Sequence, residues 1–233
     1  MLINFLMNSI FMNELYIHQH LGLGDYFVCN SIIRNLYFSN KFKITIAVKK
    51  HNKESIKFLY SDININFDII ENDEEAIKNY KKYKNVLRLG FENCDILNWE
   101  KSFYDQIGLN YNKRYTDFFI KRNLEREKNL IKLINPPLEY AFCNKACSEG
   151  LIDFEIKTKL PIIYLDKLTD NIFDWISIIE NCKEIHTIYS SIFQLIKNLK
   201  FSKLKFFYDV RDLNISRTNP TFEDNNWNLI KLK

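Results

Sequence analysis

A short turn with two glycines and an acid is the first place where this sequence could do chemistry. Gly22-Leu23-Gly24-Asp25 separates a strand-like run from a helix-like pattern, and the whole chain has only 5 glycines. Glycines at such a turn let a ligand approach the backbone, and the free N–H groups of a helix N-terminus favour an anion. Asp25 would project from the carboxyl end of the strand, where open α/β sheets bind ligands. Alternatively, the turn packs helix on strand and Asp25 caps the helix.

The turn does not match a dinucleotide-binding site. That fingerprint needs a third glycine, and Phe27 stands in its place. The acid expected about 20 residues further on is replaced by Lys49 and Lys50. The sequence therefore argues against NAD binding.

A second strand-to-helix turn carries two hydroxyls. Tyr189-Ser190-Ser191 joins a predicted strand, Glu184 to Ile188, to a predicted helix, Ser190 to Leu199. Two hydroxyls and several backbone N–H groups could hold a phosphate there without any metal. Alternatively, Ser190 is an ordinary helix cap.

Histidines and cysteines give no metal motif. His18 and His20 share one face of a strand, but no acid or cysteine lies at ligand spacing. Cys143 and Cys147 do not have the spacing of a zinc pair, so both are interpreted as structural. The 5 cysteines are odd in number and scattered, which favours free thiols in a reducing cytoplasm.

The elements that must position the two turns alternate between strand and helix. Alternating strands and helices imply parallel sheets with helices on both faces. Short runs rich in β-branched and aromatic residues predict strands at Leu15–His20, Lys43–Val48, Phe67–Ile70, Asn85–Leu89, Tyr140–Cys143, Pro161–Leu165, Glu184–Ile188 and Lys205–Tyr208. The sequence therefore predicts the α/β class, with two Rossmann-like lobes whose parallel sheets face a central cleft.

The helix patterns between these strands predict the lobe boundary. Asn135-Pro136-Pro137 ends an amphipathic helix, Leu124 to Ile134, and a proline pair breaks regular structure. We therefore predict an N-terminal lobe at 1–135 and a C-terminal lobe at 136–233. A further helix, Ile172 to Asn181, is predicted to begin with Thr169 or Asp170 as its cap.

Composition and charge exclude several classes of function. A hydrophobic fraction of 46% allows a sizeable core, and a net charge of +4 with interspersed signs gives no basic stripe for nucleic acid. No run reaches the roughly 18 apolar residues of a membrane span, and the opening MLINFLMNSIF lacks a signal-peptide pattern. We expect a cytoplasmic protein without a membrane span or nucleic-acid partner. Peripheral membrane association and the oligomeric state stay open.

The two turns together make the chain resemble a compact GT-B glycosyltransferase. GLGDYFVCNSIIRNL, Gly22 to Leu36, is similar to the opening strand–Gly-Asp–helix of the heptosyltransferase-like family nine. IIENCKEIHTIYSSIF, Ile178 to Phe193, resembles a donor-lobe pattern of bacterial and phage-type polysaccharide transferases. The resemblance covers most of Tyr16 to Tyr208, although each motif is short.

This resemblance implies sugar transfer from a nucleotide-sugar donor to a glycan acceptor in surface polysaccharide synthesis. Such enzymes usually bind no metal and no other cofactor, the nucleotide-sugar being a co-substrate. By position, Asp25 matches the acid of the family's first loop, a candidate general base that would take the acceptor hydroxyl's proton. Gly22, Gly24 and His20 would form the acceptor-side loop around it.

The donor side carries over in the same way. Ser190 and Ser191 match the turn that binds the donor phosphate, and His186 and Glu180 match the flanking pattern as supports. Similar proteins often have His-Asp-Asp and an Arg after the fifth strand, whereas this chain reads FCNKACSEG. Lys145 in that stretch, or Arg211 in the tail, would supply the cation instead, although a lysine is a point charge and not a bidentate fork.

Two alternatives remain beside the enzyme. The chain could be a non-catalytic GT-B-like protein that binds a nucleotide or sugar and partners another transferase, which the altered FCNKACSEG stretch favours. It could also be a different Rossmann-like enzyme that uses a dinucleotide, against which the missing third glycine argues.

Overall fold

The computed structural model describes residues 13–92, 94–95, 98–199, 201–210 and 227–231. In the first half, strands and helices alternate as predicted. The elements are β1 (Asn13–Gln19), α1 (Leu23–Phe38), β2 (Phe42–Lys49), α2 (Lys53–Leu59), β3 (Asn66–Ile70), α3 (Asp73–Asn79), β4 (Asn85–Leu89), α4 (Trp99–Asp105), α5 (Lys113–Thr116) and α6 (Leu124–Ile134). Short 3₁₀ turns at Lys50–Asn52 and Tyr80–Lys82 precede α2 and follow α3.

The second half repeats the alternation and adds a small hairpin. Its elements are β5 (Ala141–Asn144), β6 (Ala146–Cys147), β7 (Gly150–Leu151), β8 (Ile162–Tyr164), a 3₁₀ turn (Ile172–Trp175), α7 (Ile176–Asn181), β9 (Glu184–Thr187), α8 (Ser191–Leu199), β10 (Leu204–Asp209) and β11 (Trp227–Lys231). The sequence patterns missed α5, the antiparallel β6–β7 hairpin and β11.

Two parallel sheets organise these elements. The first has the strand order β3-β2-β1-β4, and the second has the order β11-β10-β9-β5-β8. The central strands are buried on both faces, as the run Ile44 to Val48 in β2 illustrates. The predicted α/β class with two parallel, Rossmann-like sheets is confirmed.

The two sheets share one continuous apolar core. Phe27 of α1 packs against Phe173 of the second half with ring centroids 5.4 Å apart, and Phe58 stacks on the same ring at 5.5 Å. Helices α1 and α8 contact each other directly, and the Asn198 side chain of α8 donates to the Phe27 carbonyl at 3.1 Å. The cleft between the lobes is therefore closed underneath by packed helices.

Helix α6 has the predicted bounds and packs on elements of the second half. Arg126 pairs with Asp174 at 2.8 Å, and Arg122, just before the helix, bonds Glu127 of α6 and Ser177 of α7. The lobe boundary after residue 135 thus follows a helix that contacts the C-terminal elements. That boundary stays a prediction.

One capping prediction is wrong. The helical segment that begins at Ile172 is capped by Asn171, whose side chain accepts the Phe173 N–H at 3.1 Å. Thr169 instead bonds the backbone of Asn171, at 2.8 and 3.2 Å. The segment starts as a 3₁₀ turn, which brings the nearer asparagine into capping position.

Candidate functional site

The turn between β1 and α1 leaves the helix N-terminus bare. Gly22 is the N-cap residue in an extended conformation, and no side chain caps the helix there. The first N–H groups of a helix have no helical partner, and among the described residues no side chain caps those of Leu23 and Gly24. Asp25 lies in the first helical turn, and its N–H donates to the Gly22 carbonyl at 3.0 Å.

The turn between β9 and α8 is capped. The Ser190 hydroxyl accepts the Phe193 N–H at 3.4 Å and the Asn144 side-chain amide at 2.9 Å, and it donates to the Ile188 carbonyl at 3.2 Å. Ser190 therefore acts as the helix cap. Among the described residues, the Ser191 hydroxyl takes no part in this set of bonds.

Gly24 brings the two turns together. A Cβ atom at this position would lie 3.3 Å from Cγ of Gln194 and 3.4 Å from Cα of Ser191. The contact with Gln194 is tighter than ordinary van der Waals packing and that with Ser191 is at its limit, so a side chain here would require Gln194 or α8 to shift. The backbone that approaches Gly24 is therefore the N-terminus of α8.

A pocket of about 610 Å³ opens at this meeting point. It lies at the carboxyl ends of strands from both sheets, next to β1 and between β5 and β9, where the strand order reverses. Its walls are Gly22, Leu23, Gly24, Asp25, His51, Asn52, Trp99, Asn144, Ala146, Cys147, Ser148, Leu165, Lys167, Tyr189, Ser190, Ser191, Ile192 and Gln194. The structure thus brings Gly22, Gly24, Asp25, Ser190 and Ser191 into one pocket.

The Asp25 carboxyl is the acid of this pocket. Burial raises its pKa to about 8, because the charged form loses hydration, and the negative charge of Glu100 acts in the same direction. The Gly22 N–H and the Lys49 ammonium oppose the shift. A carboxyl whose pKa lies close to neutral pH can exchange a proton with a bound ligand.

A buried ionic network is bonded to Gln194 of the pocket wall. The Glu100 carboxylate pairs with Arg114 and accepts from Lys197 at 3.2 Å and Gln194 at 2.6 Å. Burial would raise the pKa of Glu100, but the positive charges of Arg114 and Lys197 outweigh it and lower this pKa to about 2. Since α4 and α5 belong to the first half and α8 to the second, the network ties the halves together.

Sequence reasoning missed this network. Gln194, Lys197 and Asn198 recur at i, i+3 and i+4 on a helix that is otherwise apolar, SIFQLIKNL. Polar residues on one stripe of a buried helix need partners, and this stripe was the available signal. Nothing in the sequence around Glu100 or Arg114 distinguishes them from surface charges.

The other predicted site residues lie outside the pocket walls. The His20 ring donates from Nε2 to the Gly90 carbonyl at 2.8 Å and lies among the rings of Phe91, Trp99 and Phe103. Lys145 donates to the Phe154 carbonyl at 2.5 Å and lies 3.4 Å from Asp153.

Two donor-side residues sit in structural contacts. His186 is buried between the Tyr208 hydroxyl at 2.9 Å and Glu184 at 3.1 Å. Glu180 is exposed and pairs with Arg122 at 2.9 Å. Arg211 lies outside the described residues. Roles in binding for all of these stay predictions.

Within the described parts of the chain, no group of three or more His, Cys, Asp or Glu side chains is placed to hold a metal ion. Metal independence remains a prediction that the geometry does not test. None of the described helices is both long and apolar enough to cross a membrane.

No protein-family model matches the chain, and no curated protein matches its sequence. Among solved structures it is similar to the iron-containing dodecameric glycosyltransferase TibC of enterotoxigenic E. coli H10407, with a TM-score of 0.51 and 10% identity. That match covers 82% of this chain and 57% of TibC, so the chain spans little more than half of that protein. A match to E. coli heptosyltransferase WaaC with ADP has a TM-score of 0.42 and 8% identity, and covers 94% and 91% of the two chains. The likeness to TibC shows that this chain shares the fold of that protein, and membership of the GT-B class and of family nine stays a prediction.

Proposed function

We propose that this protein is a glycosyltransferase that moves a sugar from a nucleotide-sugar to a hydroxyl of a glycan acceptor. One observation carries the proposal: an acid with a pKa close to neutrality and a hydroxyl-bearing helix N-terminus face the same pocket between two parallel sheets. The fold shared with the glycosyltransferase TibC supports it. We further propose that the reaction belongs to surface polysaccharide synthesis in the cytoplasm, in line with its free cysteines.

The donor diphosphate would bind at the α8 N-terminus. Ser191 and Ile192, the first residues of α8, line the pocket, and the helix dipole favours negative charge there. Lys167 also lines the pocket and adds positive charge there, and the His51 ring can donate a hydrogen bond to a phosphate oxygen. Lys145 would have to leave the Phe154 carbonyl to join them.

The chemical step would use Asp25 as the general base. An acceptor hydroxyl attacks the anomeric carbon, the bond from that carbon to the donor phosphate oxygen breaks, and the hydroxyl proton passes to the Asp25 carboxylate. The leaving nucleoside diphosphate keeps the bonding electron pair, and the α8 N-terminus stabilises its charge. With a pKa of about 8, the carboxylate form is the minor one at pH 7, so transfer should speed up as the pH rises towards 8.

Cys147 offers a direct test of donor binding. It lines the pocket and is partly exposed, whereas Cys94 is partly exposed outside it. We expect nucleoside diphosphates to slow alkylation of Cys147 and to leave Cys94 unchanged. A panel of nucleotide-sugars with glycan acceptors should then release nucleoside diphosphate. The proposal would be contradicted if nucleoside diphosphates changed the alkylation rate of neither thiol and no nucleoside diphosphate were released from any nucleotide-sugar.

A second candidate is a non-catalytic protein that binds a nucleotide or sugar for another transferase. The predominantly protonated Asp25 at neutral pH favours it, because a protonated carboxyl cannot act as a base. Protection of Cys147 without any release of nucleoside diphosphate between pH 7 and pH 9, with a broad acceptor panel, would select this candidate.

A further inference from the structure

The aromatic wall of the pocket is the ring of Trp99 at the start of α4. Trp99 is half-buried and lines the same pocket as Asp25. Phe103 packs edge-on against it with ring centroids 5.0 Å apart and planes at 86°. Its indole N–H donates to the Tyr189 hydroxyl at 3.1 Å. The ring is therefore held by Phe103, by His20 at 5.8 Å and by the Tyr189 hydroxyl, in a residue that lines the pocket.

The group that holds the indole is itself fixed. The Tyr189 hydroxyl also accepts from the Gln194 side-chain amide at 3.2 Å, and the same amide nitrogen donates to Glu100 at 2.6 Å. Burial and then the negative charge of Glu100 raise the pKa of Tyr189, and Asp25 adds to the effect, so this hydroxyl stays protonated. The orientation of Trp99 thus depends on a chain of buried hydrogen bonds that ends at the ionic network.

We propose that Trp99 is the stacking platform for the pyranose ring of the acceptor, and that Tyr189 is the positioning residue that sets the platform's angle. An aromatic face carries partial negative charge and is apolar, so it suits the C–H face of a sugar ring, while the sugar hydroxyls point to the polar rim. This inference rests on the proposed function, because it names a subsite of the same pocket.

The position of Trp99 favours the acceptor's ring, and not the donor's base or sugar, as the group that stacks on it. Trp99 and Asp25 come from the same half of the chain, and Asp25 is the group that must reach the acceptor hydroxyl. The best seat for the donor phosphate, at Ser191, belongs to the other half. A ring stacked on Trp99 is therefore presented to the base from the acceptor side.

Tryptophan fluorescence tests the platform without any turnover. Methyl glycosides of glucose, galactose, mannose and rhamnose serve as probes, with UDP and ADP as comparison ligands. We expect at least one glycoside to change the emission of the wild type and to leave Trp99→Phe unchanged, since Trp175 is buried in the core and Trp227 lies on β11. If only the nucleotides changed the Trp99 emission, the Trp99 ring would stack on the nucleotide base and not on the acceptor. If no glycoside changed the emission, the stacking proposal would be wrong.

Kinetics separate stacking from positioning. Trp99→Leu should raise the acceptor KM about 3- to 10-fold, the range of an aromatic contact, with the donor KM unchanged, and Trp99→Phe should fall between. Tyr189→Phe should raise the acceptor KM less than Trp99→Leu does. Added to Trp99→Phe, the same substitution should not raise the acceptor KM further, because a phenylalanine at position 99 has no indole N–H for the tyrosine hydroxyl to bind. An unchanged acceptor KM in folded Trp99→Leu would overturn the platform and leave the transferase intact. A wild type without transfer would instead defeat the proposed function, and the fluorescence result would still decide the platform.

Discussion

The two strand-to-helix turns occupy equivalent places in the two sheets and are built differently. The α1 turn has Gly22 as an uncapped N-cap residue and an acid in its first helical turn. The α8 turn has Ser190 as a cap, and Asn144 of the neighbouring strand bonds that serine at 2.9 Å. One turn is open at the backbone, and the other is secured by side chains.

Under the proposed function, the two turns would have different roles in one pocket. Gly24 is needed because the α8 N-terminus lies against it, and the same close approach places Asp25 opposite the serine turn. Ser190 uses its hydroxyl to hold α8 in place, which leaves Ser191 as the hydroxyl for a ligand. Under the proposed function, the open turn would supply the general base, and the capped turn would supply a fixed site for the donor phosphate.

Asp25→Asn should produce the largest effect. Loss of the base should lower transfer about 10²- to 10⁴-fold, while nucleotide affinity at the α8 turn stays within about twofold of wild type. Steady-state turnover and calorimetry of a nucleoside diphosphate measure the two quantities. Wild-type turnover in this variant would show that Asp25 only helps to begin the helix.

The same variant should change the pH dependence of stability. The folded state raises the pKa of Asp25 to about 8, above its unfolded value near 4, so this group's contribution is present below about pH 4 and is lost as the pH rises towards 8. The melting temperature of the wild type should therefore fall relative to Asp25→Asn across that range. Parallel melting curves at every pH would mean that the carboxyl is well hydrated.

Gly24→Val should cost about 1–3 kcal/mol of folding free energy, because the added side chain meets Gln194 and Ser191. Lys57→Val, at an exposed site on α2, is the matched control and should cost less than about 1 kcal/mol. Denaturant unfolding compares the two. Equal losses would indicate that the glycine is kept for a ligand and not for the approach of α8.

The two serines should respond in opposite ways. Ser190→Ala removes the cap and should lower stability by about 1 kcal/mol. Ser191→Ala should leave stability unchanged and weaken nucleoside diphosphate binding about 10-fold, as expected for a lost hydrogen bond to a charged group. Thermal unfolding and calorimetry on both variants give the comparison. Unaltered affinity in Ser191→Ala would place the diphosphate elsewhere in the pocket.

Glu180→Ala should have the smallest effect. Its carboxylate pairs with Arg122 at the surface, and such pairs contribute at most about 1 kcal/mol. Nucleotide affinity should not change, although the sequence pattern groups Glu180 with the donor side. A clear loss of affinity by calorimetry would restore Glu180 to the donor site and weaken the division between the two turns.

The alternation of strands and helices and the two turns could be predicted from local sequence patterns. β-branched runs such as KITIAV and the glycines at the first turn are local signals, because they depend on the backbone preferences of neighbouring residues. They were enough for the α/β class and for placing Asp25, Ser190 and Ser191 at carboxyl ends of strands. The small β6–β7 hairpin and α5 carry too few residues for such a signal.

The contacts of those residues depend on the packing of the folded chain and could not be predicted from local patterns. The burial of Glu100 against Arg114 and Lys197, the raised pKa of Asp25 and the bond between Trp99 and Tyr189 all join residues that are distant in the chain. Lys145 lies in sequence between Asn144 and Ala146, which both line the pocket, yet its ammonium donates to the Phe154 carbonyl. Such contacts depend on how α1 and α8 pack across the lobes. A charge acquires its pKa and its partner from that packing, and no local pattern encodes it.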